Sequence, residues 1–462
     1  MYLKHNSKIF IIILIAVIIN IFISNYNISK YDNYRTLSNG QKVNSLIFSD
    51  IYSIWSKSDD FVKKIREKEG FVNSLPIYDR SFLPSILVGL YYLAINEDIS
   101  VEENSDNIKI FKKDNYKIGF LIIQILFFYF SLFYFSQKLK KYINEKNLFL
   151  IVFFLSFEPT LIQWHSSFWS ESIFLSLNLI LMAKVIEFKK GFFQNLTIGF
   201  ILGFIFAQRA ASVFLFIPLI IFFIFVYKKN FKPIIYLLTG YLSIILLIGN
   251  LHYIKKGVFF ILPYHSNQYS NYHYMYDDIF SKATQISKDQ SYNIKIKKEK
   301  EWRKNNLIQD NEFKDKFKII NYRNNEFLKL VIKYPFTSFK YLVYKSCQAS
   351  ILDPIYVQKF FSLDKSIKDY YKDLNKDLKI RIIYSSIIYL LCLLGFLNLL
   401  YKIFFMKKIN NYYYFLILNI LIILYYMIFT GGYGVSRYFA PLLINYVFFL
   451  NMGLEFFNKK KL

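Results

Sequence analysis

The sequence is poor in cysteine and in charge. Its 462 residues include two cysteines, Cys347 and Cys392. Cys392 lies inside an apolar run, so we expect no pairing between the two, and a small disulfide scaffold is excluded. Charged residues make up only 19% of the chain, against 55% hydrophobic residues. Neither a soluble enzyme nor a disordered chain has this balance together with long uncharged segments.

Several familiar signatures of soluble enzymes are also missing. The sequence has no Walker loop, dinucleotide-binding glycine fingerprint, nucleophile elbow or paired-cysteine motif. A soluble ATP or nucleotide-sugar site is therefore unsupported. It has no internal repeat, and we find no charged residue near the expected midplane of an apolar run, where a transporter usually keeps its polar site.

Long apolar runs dominate what is present. The runs 118–137, 382–401 and 409–430 each hold 20 or more uncharged residues, and ~18 are enough for a helix to cross a bilayer. The sequence thus predicts an all-α, polytopic membrane helix bundle of about ten transmembrane helices. The predicted spans are 9–24, 118–137, 147–157, 170–188, 192–208, 211–227, 233–251, 382–401, 409–430 and 438–455.

The distribution of cations predicts the orientation. No small-residue cleavage site follows the run 9–24, so we expect an uncleaved first span. Eighteen lysines then fall in the segments placed inside, whereas the three short outside loops carry only Arg209 and Arg437. This asymmetry predicts a multi-pass protein of the cytoplasmic (inner) membrane with both termini in the cytoplasm. Counting 81–96 as a further span would invert the orientation of every later span and place the lysines of 138–146 outside. We therefore predict that this helix lies on the outer face.

Two long loops then face outward, 25–117 and 252–381. We predict three regions: an N-terminal membrane bundle over residues 1–251, an outer-face cap over 252–381, and C-terminal membrane helices over 382–462. The net charge is +26, from 58 basic and 32 acidic residues. Because the lysines lie mainly in loops beside spans, this charge reports topology, and we predict membrane lipids and no nucleic acid as partners.

The ionisable residues near span ends gather on the predicted outer side, where the charged head of a lipid-linked substrate would lie. The candidates are Glu158, Glu171, Arg209 and Arg437 at span ends, and Asp50, Asp59, Asp60, Asp79 and Arg80 in the first outer loop. Each has a structural alternative: the arginines could anchor lipid phosphates, Glu171 could cap a helix, and the aspartates could be solvated. We expect His165 at the membrane interface. The group His265, His273, Asp277 and Asp278 matches no zinc spacing, so no metal site is predicted.

Several segments, in order, resemble the GT-C glycosyltransferases, in particular the bacterial branch similar to protein O-mannosyltransferases and the lipid A aminoarabinose transferase. They are SDDFVKKIREKEGF with YDRSFLPSILVGLYYL, FEPTLIQWHSSFWSESIFLSL, GFILGFIFAQRAASVFLFIPLII, YPFTSFKYLVYK and SRYFAPLLINYVFFL. The resemblance covers most of 1–253 and 330–455. That family often has Asp-Glu in its first loop, where this chain has Asp59-Asp60.

The resemblance implies transfer of a sugar from a polyprenyl-phosphate donor to a glycan, lipid or protein acceptor at the outer face. It implies Asp59 or Asp60 as general base, with Asp50 as a rival, and inversion at the anomeric carbon. Arg80, Arg209, Arg437 and Glu171 would form the phosphate-binding site. No cofactor is required, although a divalent metal is compatible with the resemblance. The alternatives are a flippase or transporter of lipid-linked saccharides, and an O-antigen-type polymerase or ligase.

The position of the base depends on where a helix begins. The stretch FVKKIREKEG favours a helix, so we predict that Asp59 and Asp60 stand at its start, where the helix dipole keeps them ionised. Adjacent helical residues point about 100° apart, so only one of the two would face the site.

Overall fold

The structure is a computed structural model, and it describes the chain in fifteen segments. These are 2–31, 34–36, 42–44, 49–76, 82–99, 101–103, 109–111, 115–165, 171–228, 230–262, 271–308, 313–349, 367–406, 411–430 and 442–458.

Helices make up nearly all of the regular structure. They are α1 Tyr2–Tyr31, α2 Ser49–Arg66, α3 Phe71–Ser74, α4 Leu83–Ala94, α5 Asn115–Leu139, α6 Glu145–Phe157, α7 Pro159–His165, α8 Glu171–Val185, α9 Phe192–Gln208, α10 Phe216–Tyr227, α11 Lys232–Lys256, α12 Asn271–Thr284, α13 Lys288–Asn305, α14 Phe313–Lys333, α15 Pro335–Ala349, α16 Ile367–Met406, α17 Asn411–Thr430 and α18 Leu443–Asn458.

Two short antiparallel hairpins accompany the helices in the first loop. Strand β1 Tyr34–Thr36 pairs with β2 Lys42–Asn44, and β3 Val101–Glu103 pairs with β4 Lys109–Phe111. They are the only departure from the predicted all-α class within the described segments.

Within the described residues, six helical segments are long and apolar enough to cross a membrane. They are Ser7–Asn25, Tyr116–Leu139, Ala210–Tyr227, Lys232–Lys256, Ile382–Phe405 and Asn411–Phe429. The chain is therefore a multi-pass helical membrane protein in its general plan. The other four predicted spans fall on the shorter helices α6, α8, α9 and α18, and the count of ten stays a prediction.

Local signals explain several helix ends. Asn144 caps α6, its side-chain oxygen accepting a hydrogen bond from the Asn147 amide at 2.9 Å. At the other end of the bundle α11 stops at Gly257, which takes a left-handed conformation with φ of 66°. Helix α4 covers 12 residues, about 18 Å at 1.5 Å per residue. The prediction that 81–96 does not cross the membrane stays a prediction, because α6 is nearly as short.

Glycines bring pairs of helices into close contact. A Cβ on Gly199 of α9 would overlap the Leu237 carbonyl oxygen of α11, and one on Gly240 would overlap the Leu196 carbonyl oxygen. Gly395 and Gly453 make the same kind of crossing between α16 and α18. Small residues permit this approach, which in a lipid environment replaces the hydrophobic effect as a source of helix association.

In the described part of the predicted outer cap, the helices α12 to α15 have a hydrophobic core of their own, and α16 begins inside the same region. That core is formed by Tyr272, Met275, Tyr276, Ile279, Leu330 and Tyr341. Buried charges inside the cap are paired: Lys295 bonds to Asp277, and Glu299 bonds to Arg303 and Arg323. The cap contacts the bundle where the Ser346 hydroxyl donates to the Met427 carbonyl of α17 at 3.3 Å.

Candidate functional site

A buried ion pair lies where α9 finishes and α8 begins. The Arg209 Nη1 and Glu171 Oε1 atoms are 3.5 Å apart, and the Arg209 guanidinium lies 5.3 Å from the Phe174 ring. The arginine side chain is 9% exposed and the glutamate 3%. Removing both charges from water is costly, so such a pair is weak evidence of stability and a reason to look for function.

Tyrosines from two other helices hold the turn that carries Arg209. After Arg209 the chain forms a short 3-10 helix, Ala210–Ser212. Tyr425 of α17 donates to the Ala211 carbonyl, and the Tyr426 and Ser212 hydroxyls are 3.0 Å apart. Tyr241 of α11 donates to the Val213 carbonyl. The arginine is thus positioned by three helices, which a sequence pattern does not reveal.

His165 lies beside this ion pair and is fully buried. Its Nδ1 is 3.1 Å from the Ser172 hydroxyl, next in sequence to Glu171, and its ring centroid is 3.7 Å from that of Phe128. The predicted position at the membrane interface stays a prediction, but the side chain is packed inside the protein and does not face lipid or water. The missed signal is spacing: Leu161 and His165 are four residues apart on α7, so the histidine shares the leucine's buried face.

Glu158 joins α6 to α7 and has a structural role. Its Oε2 accepts the Leu161 amide at 2.9 Å, and its Oε1 accepts the Thr160 hydroxyl at 2.9 Å. The Tyr384 hydroxyl of α16 approaches Oε1 at 3.4 Å. Pro159 occupies the first position of α7, which suits a residue without an amide hydrogen. The Oε2 atom caps α7 and the Oε1 atom accepts from two hydroxyls, so Glu158 is a poor candidate for a base. We call Glu158, His165, Glu171 and Arg209 together the polar end of the bundle.

A second group of polar side chains lies next to His165, between α1, α5 and α6. The Asn20 amide donates to the Tyr129 hydroxyl at 2.7 Å, and that hydroxyl donates to the Ser156 carbonyl at 3.0 Å. The rings of Tyr129 and His165 are 6.2 Å apart. These residues are uncharged, and nothing in the apolar runs marked them as a connected group.

The first-loop aspartates do not stand at a helix start, and that element of the prediction was wrong. Helix α2 begins at Ser49, so Asp59 and Asp60 are in its third turn, too far from the N-terminus to benefit from the dipole. The reason is upstream periodicity: Trp55, Ser58 and Val62 are buried at helical spacing, which extends the amphipathic pattern before the aspartates.

The two aspartates face in different directions, as their spacing predicts. Asp59 is 2% exposed, with its Oδ2 2.9 Å from the Lys63 ammonium, whereas Asp60 is exposed. Packing on α4 sets this rotation. The Ser58 hydroxyl donates to the Ser85 carbonyl at 2.9 Å, and the Phe61 ring lies against Gly89.

Helix α4 packs against both α2 and α9. It therefore lies between the helix that carries Asp59 and the helix that ends at Arg209. Four predicted candidates fall outside the described residues: Asp79, Arg80, Arg437 and the side chain of Asp50.

The two aspartates of the group that was considered as a metal site bond to other side chains of the cap. Asp277 bonds to Lys295, and Asp278 bonds to Lys288 and Tyr341. His265 is outside the described residues. Among those that are described, no three His, Cys, Asp or Glu side chains gather in a way that could hold a metal ion.

Comparison with known proteins adds no assignment. No protein-family model matches the chain. No curated protein matches it either.

Proposed function

We propose that this protein is an integral membrane glycosyltransferase. It moves a sugar from a polyprenyl-phosphate donor to an acceptor at the outer face of the cytoplasmic membrane, with inversion at the anomeric carbon. The observation that carries the proposal is the buried Arg209, held by Glu171 and by tyrosines at the polar end of the bundle. The level of a helix end suits the phosphate of a lipid carrier, whose tail remains in the membrane.

Arg209 has the chemistry for the donor phosphate. A guanidinium stays charged in a buried place and offers several N–H donors in a planar fork that matches phosphate oxygens. Glu171 acts as a positioning residue in this proposal, because its carboxylate orients the guanidinium. Arg80 and Arg437, predicted from the sequence, would complete the phosphate site.

Asp59 is the proposed general base, in preference to Asp60 and Asp50. Its burial on the inner face of α2 suits a group that meets an acceptor inside a site, whereas Asp60 points outward. The acceptor hydroxyl gives its proton to the carboxylate as its oxygen bonds to the anomeric carbon. The bond from that carbon to the phosphate oxygen breaks, and its electron pair leaves with the polyprenyl phosphate.

Donor binding can be tested by thermal protection. Purified protein is heated with short-chain polyprenyl-phosphate hexoses, and with the polyprenyl phosphate alone, since a bound ligand raises the unfolding temperature by mass action. We expect protection by a sugar-bearing carrier, its loss in Arg209→Ala, and partial recovery in Arg209→Lys. Arg66→Ala is the matched control, because Arg66 is paired with Asp98 in the same predicted outer layer.

Single-turnover sugar transfer then separates the enzyme from a transporter. If a protected protein binds the donor and transfers no sugar to any acceptor offered, the flippase or transporter interpretation replaces this one. If no polyprenyl-phosphate sugar protects the protein, the donor class itself is wrong.

A further inference from the structure

The outer cap leaves an apolar surface on two consecutive helices. Phe336 is 89% exposed and Phe339 68% on α15, and Ile332 is 70% exposed near the end of α14. Leu328 and Val343 extend the same surface. We call these five residues the apolar elbow. Exposed apolar residues are common singly, but a continuous group of large ones marks a contact surface.

Exposed large apolar side chains also occur elsewhere in the described cap, for example at Tyr292, Ile294 and Leu307, but the elbow groups five of them on two consecutive helices. The exposed positions earlier on α14 are polar, namely Lys318, Asn321, Asn324 and Asn325, and Leu328 and Ile332 follow within the next two turns. On α15 the buried face carries Ser338, Tyr341 and Ser346, so polar groups point inward and phenylalanines outward. This is the reverse of the arrangement expected for a helix that faces water.

The helix that carries Phe336 and Phe339 meets a membrane span at its other end. Ser346 of α15 bonds to the Met427 carbonyl near the end of α17. Nearby on α17, Leu424, Ile428 and Phe429 are exposed, as side chains that face lipid are. Helix α15 therefore begins at the elbow and finishes beside the end of a membrane span.

The charge of the elbow completes the pattern. The segment 327–349 contains four lysines, Lys329, Lys333, Lys340 and Lys345, and no acidic residue. Lys333 and Lys340 are exposed beside the phenylalanines. Apolar side chains flanked by lysines are the composition of helices that lie in the headgroup region of anionic membranes.

We propose that the apolar elbow is a membrane-surface anchor. Phe336, Phe339 and Ile332 insert into the outer leaflet of the bilayer beside α17, and Lys333 and Lys340 contact anionic lipid phosphates. The anchor holds the cap against the polar end of the bundle. This proposal stands on α14, α15 and α17 and does not depend on sugar transfer.

Spin-label accessibility in liposomes tests the anchor. In full-length protein with Cys347→Ser, a nitroxide is placed at Phe336→Cys or Phe339→Cys, with Asn321→Cys and Lys300→Cys as exposed polar controls on α14 and α13. Oxygen concentrates in lipid and a nickel chelate in water. We expect labels at Phe336 and Phe339 to meet more oxygen than chelate, and the two controls to show the opposite.

Two further measurements show whether lipid or a second protein copy shields the labels from the chelate: one varies the lipid composition and the other the number of proteins per vesicle. The Phe336 label should lie deeper in vesicles with phosphatidylglycerol than in phosphatidylcholine alone, and Lys333→Gln with Lys340→Gln should remove that difference. Labels that behave like the controls would overturn the proposal. So would protection from the chelate that vanishes at one protein per vesicle, because the elbow would then contact a second copy.

Discussion

Glu171 opens α8 and Arg209 closes α9, and their charged atoms are 3.5 Å apart inside the bundle. The two residues are separated by two helices in sequence. The ion pair therefore ties the start of one helix to the end of the next. The same α8 turn carries Ser172, which contacts His165, so one helix start organises both charged and neutral polar groups.

Replacing one member of this ion pair should lower the free energy of unfolding strongly, and replacing both should cost less than the two single losses added together. Glu171→Gln or Arg209→Gln leaves one buried charge without its main partner, and we expect a loss of about 3–5 kcal/mol in either variant. The double variant should lose less than the sum of the two. Chemical unfolding of the four proteins in the same detergent measures the coupling. Additive losses would show that the two charges do not interact.

The two neighbouring aspartates should differ in transfer. If Asp59 is the base, Asp59→Asn loses ~10²-fold or more in single-turnover rate while donor protection is kept. Asp60→Asn is the matched control and should transfer normally, because its side chain is exposed. A defect in Asp60→Asn with normal transfer by Asp59→Asn would reverse the assignment, and loss only in Asp50→Asn would move the base to the first turn of α2.

The glycine crossing of α9 and α11 should tolerate no side chain. Gly240→Leu places a Cβ against the Leu196 carbonyl oxygen, so the helices must separate at a cost of about 1–3 kcal/mol. Ser243→Leu, an exposed position one turn further along α11, is the control and should unfold at the wild-type temperature. Thermal unfolding in detergent compares them. Equal midpoints for both variants would exclude a tight crossing.

The cap should lose stability in acid through Glu299. Burial alone would raise the pKa of its carboxyl, but hydrogen bonds and charges from Arg323 and Arg303 hold the pKa below its usual value. A lowered folded-state pKa contributes stability above the unfolded pKa of about 4.3, and that stability disappears as pH falls through the folded pKa.

Glu299→Gln should remove this dependence. We expect the variant to protect α13 less at pH 7, by about 1.5–3 kcal/mol for the lost charged hydrogen bonds. The difference from wild type should shrink as pH falls below about 4.3. Hydrogen exchange of residues 288–305, corrected for the intrinsic effect of pH, reports it. A difference that stays constant down to pH 3 would mean that Glu299 does not titrate between the two states.

Topology can be tested with two exposed positions. Glu67→Cys follows α2 and Lys146→Cys lies in the first turn of α6, and Cys347→Ser removes the exposed native thiol. The predicted orientation requires an impermeant maleimide to label Glu67→Cys in intact cells and Lys146→Cys only after lysis. The opposite pattern would invert the bundle.

Amino-acid order alone determined the general plan of this protein. Inside a bilayer the backbone N–H and C=O groups of an uncharged run find no water to bond with. The run therefore forms a helix, in which these groups bond to one another. For that reason the described parts of the predicted spans are mainly helical, and six helical segments among the described residues are long and apolar enough to cross. The sequence also predicted that only one of Asp59 and Asp60 faces the site, since adjacent residues on one helix point in different directions.

Tertiary packing decided the details of the site. Helix α2 starts at Ser49 because its buried face packs against α4. The helix-favouring stretch after Asp59 carries no information about that packing. The burial of His165 and the capping role of Glu158 depended on which helices meet at the break after α6. The Glu171–Arg209 pair and the tyrosines around it join residues from helices distant in sequence. Contacts of this kind depend on how the helices rotate and cross, and close approaches such as Gly199 with Gly240 set that geometry.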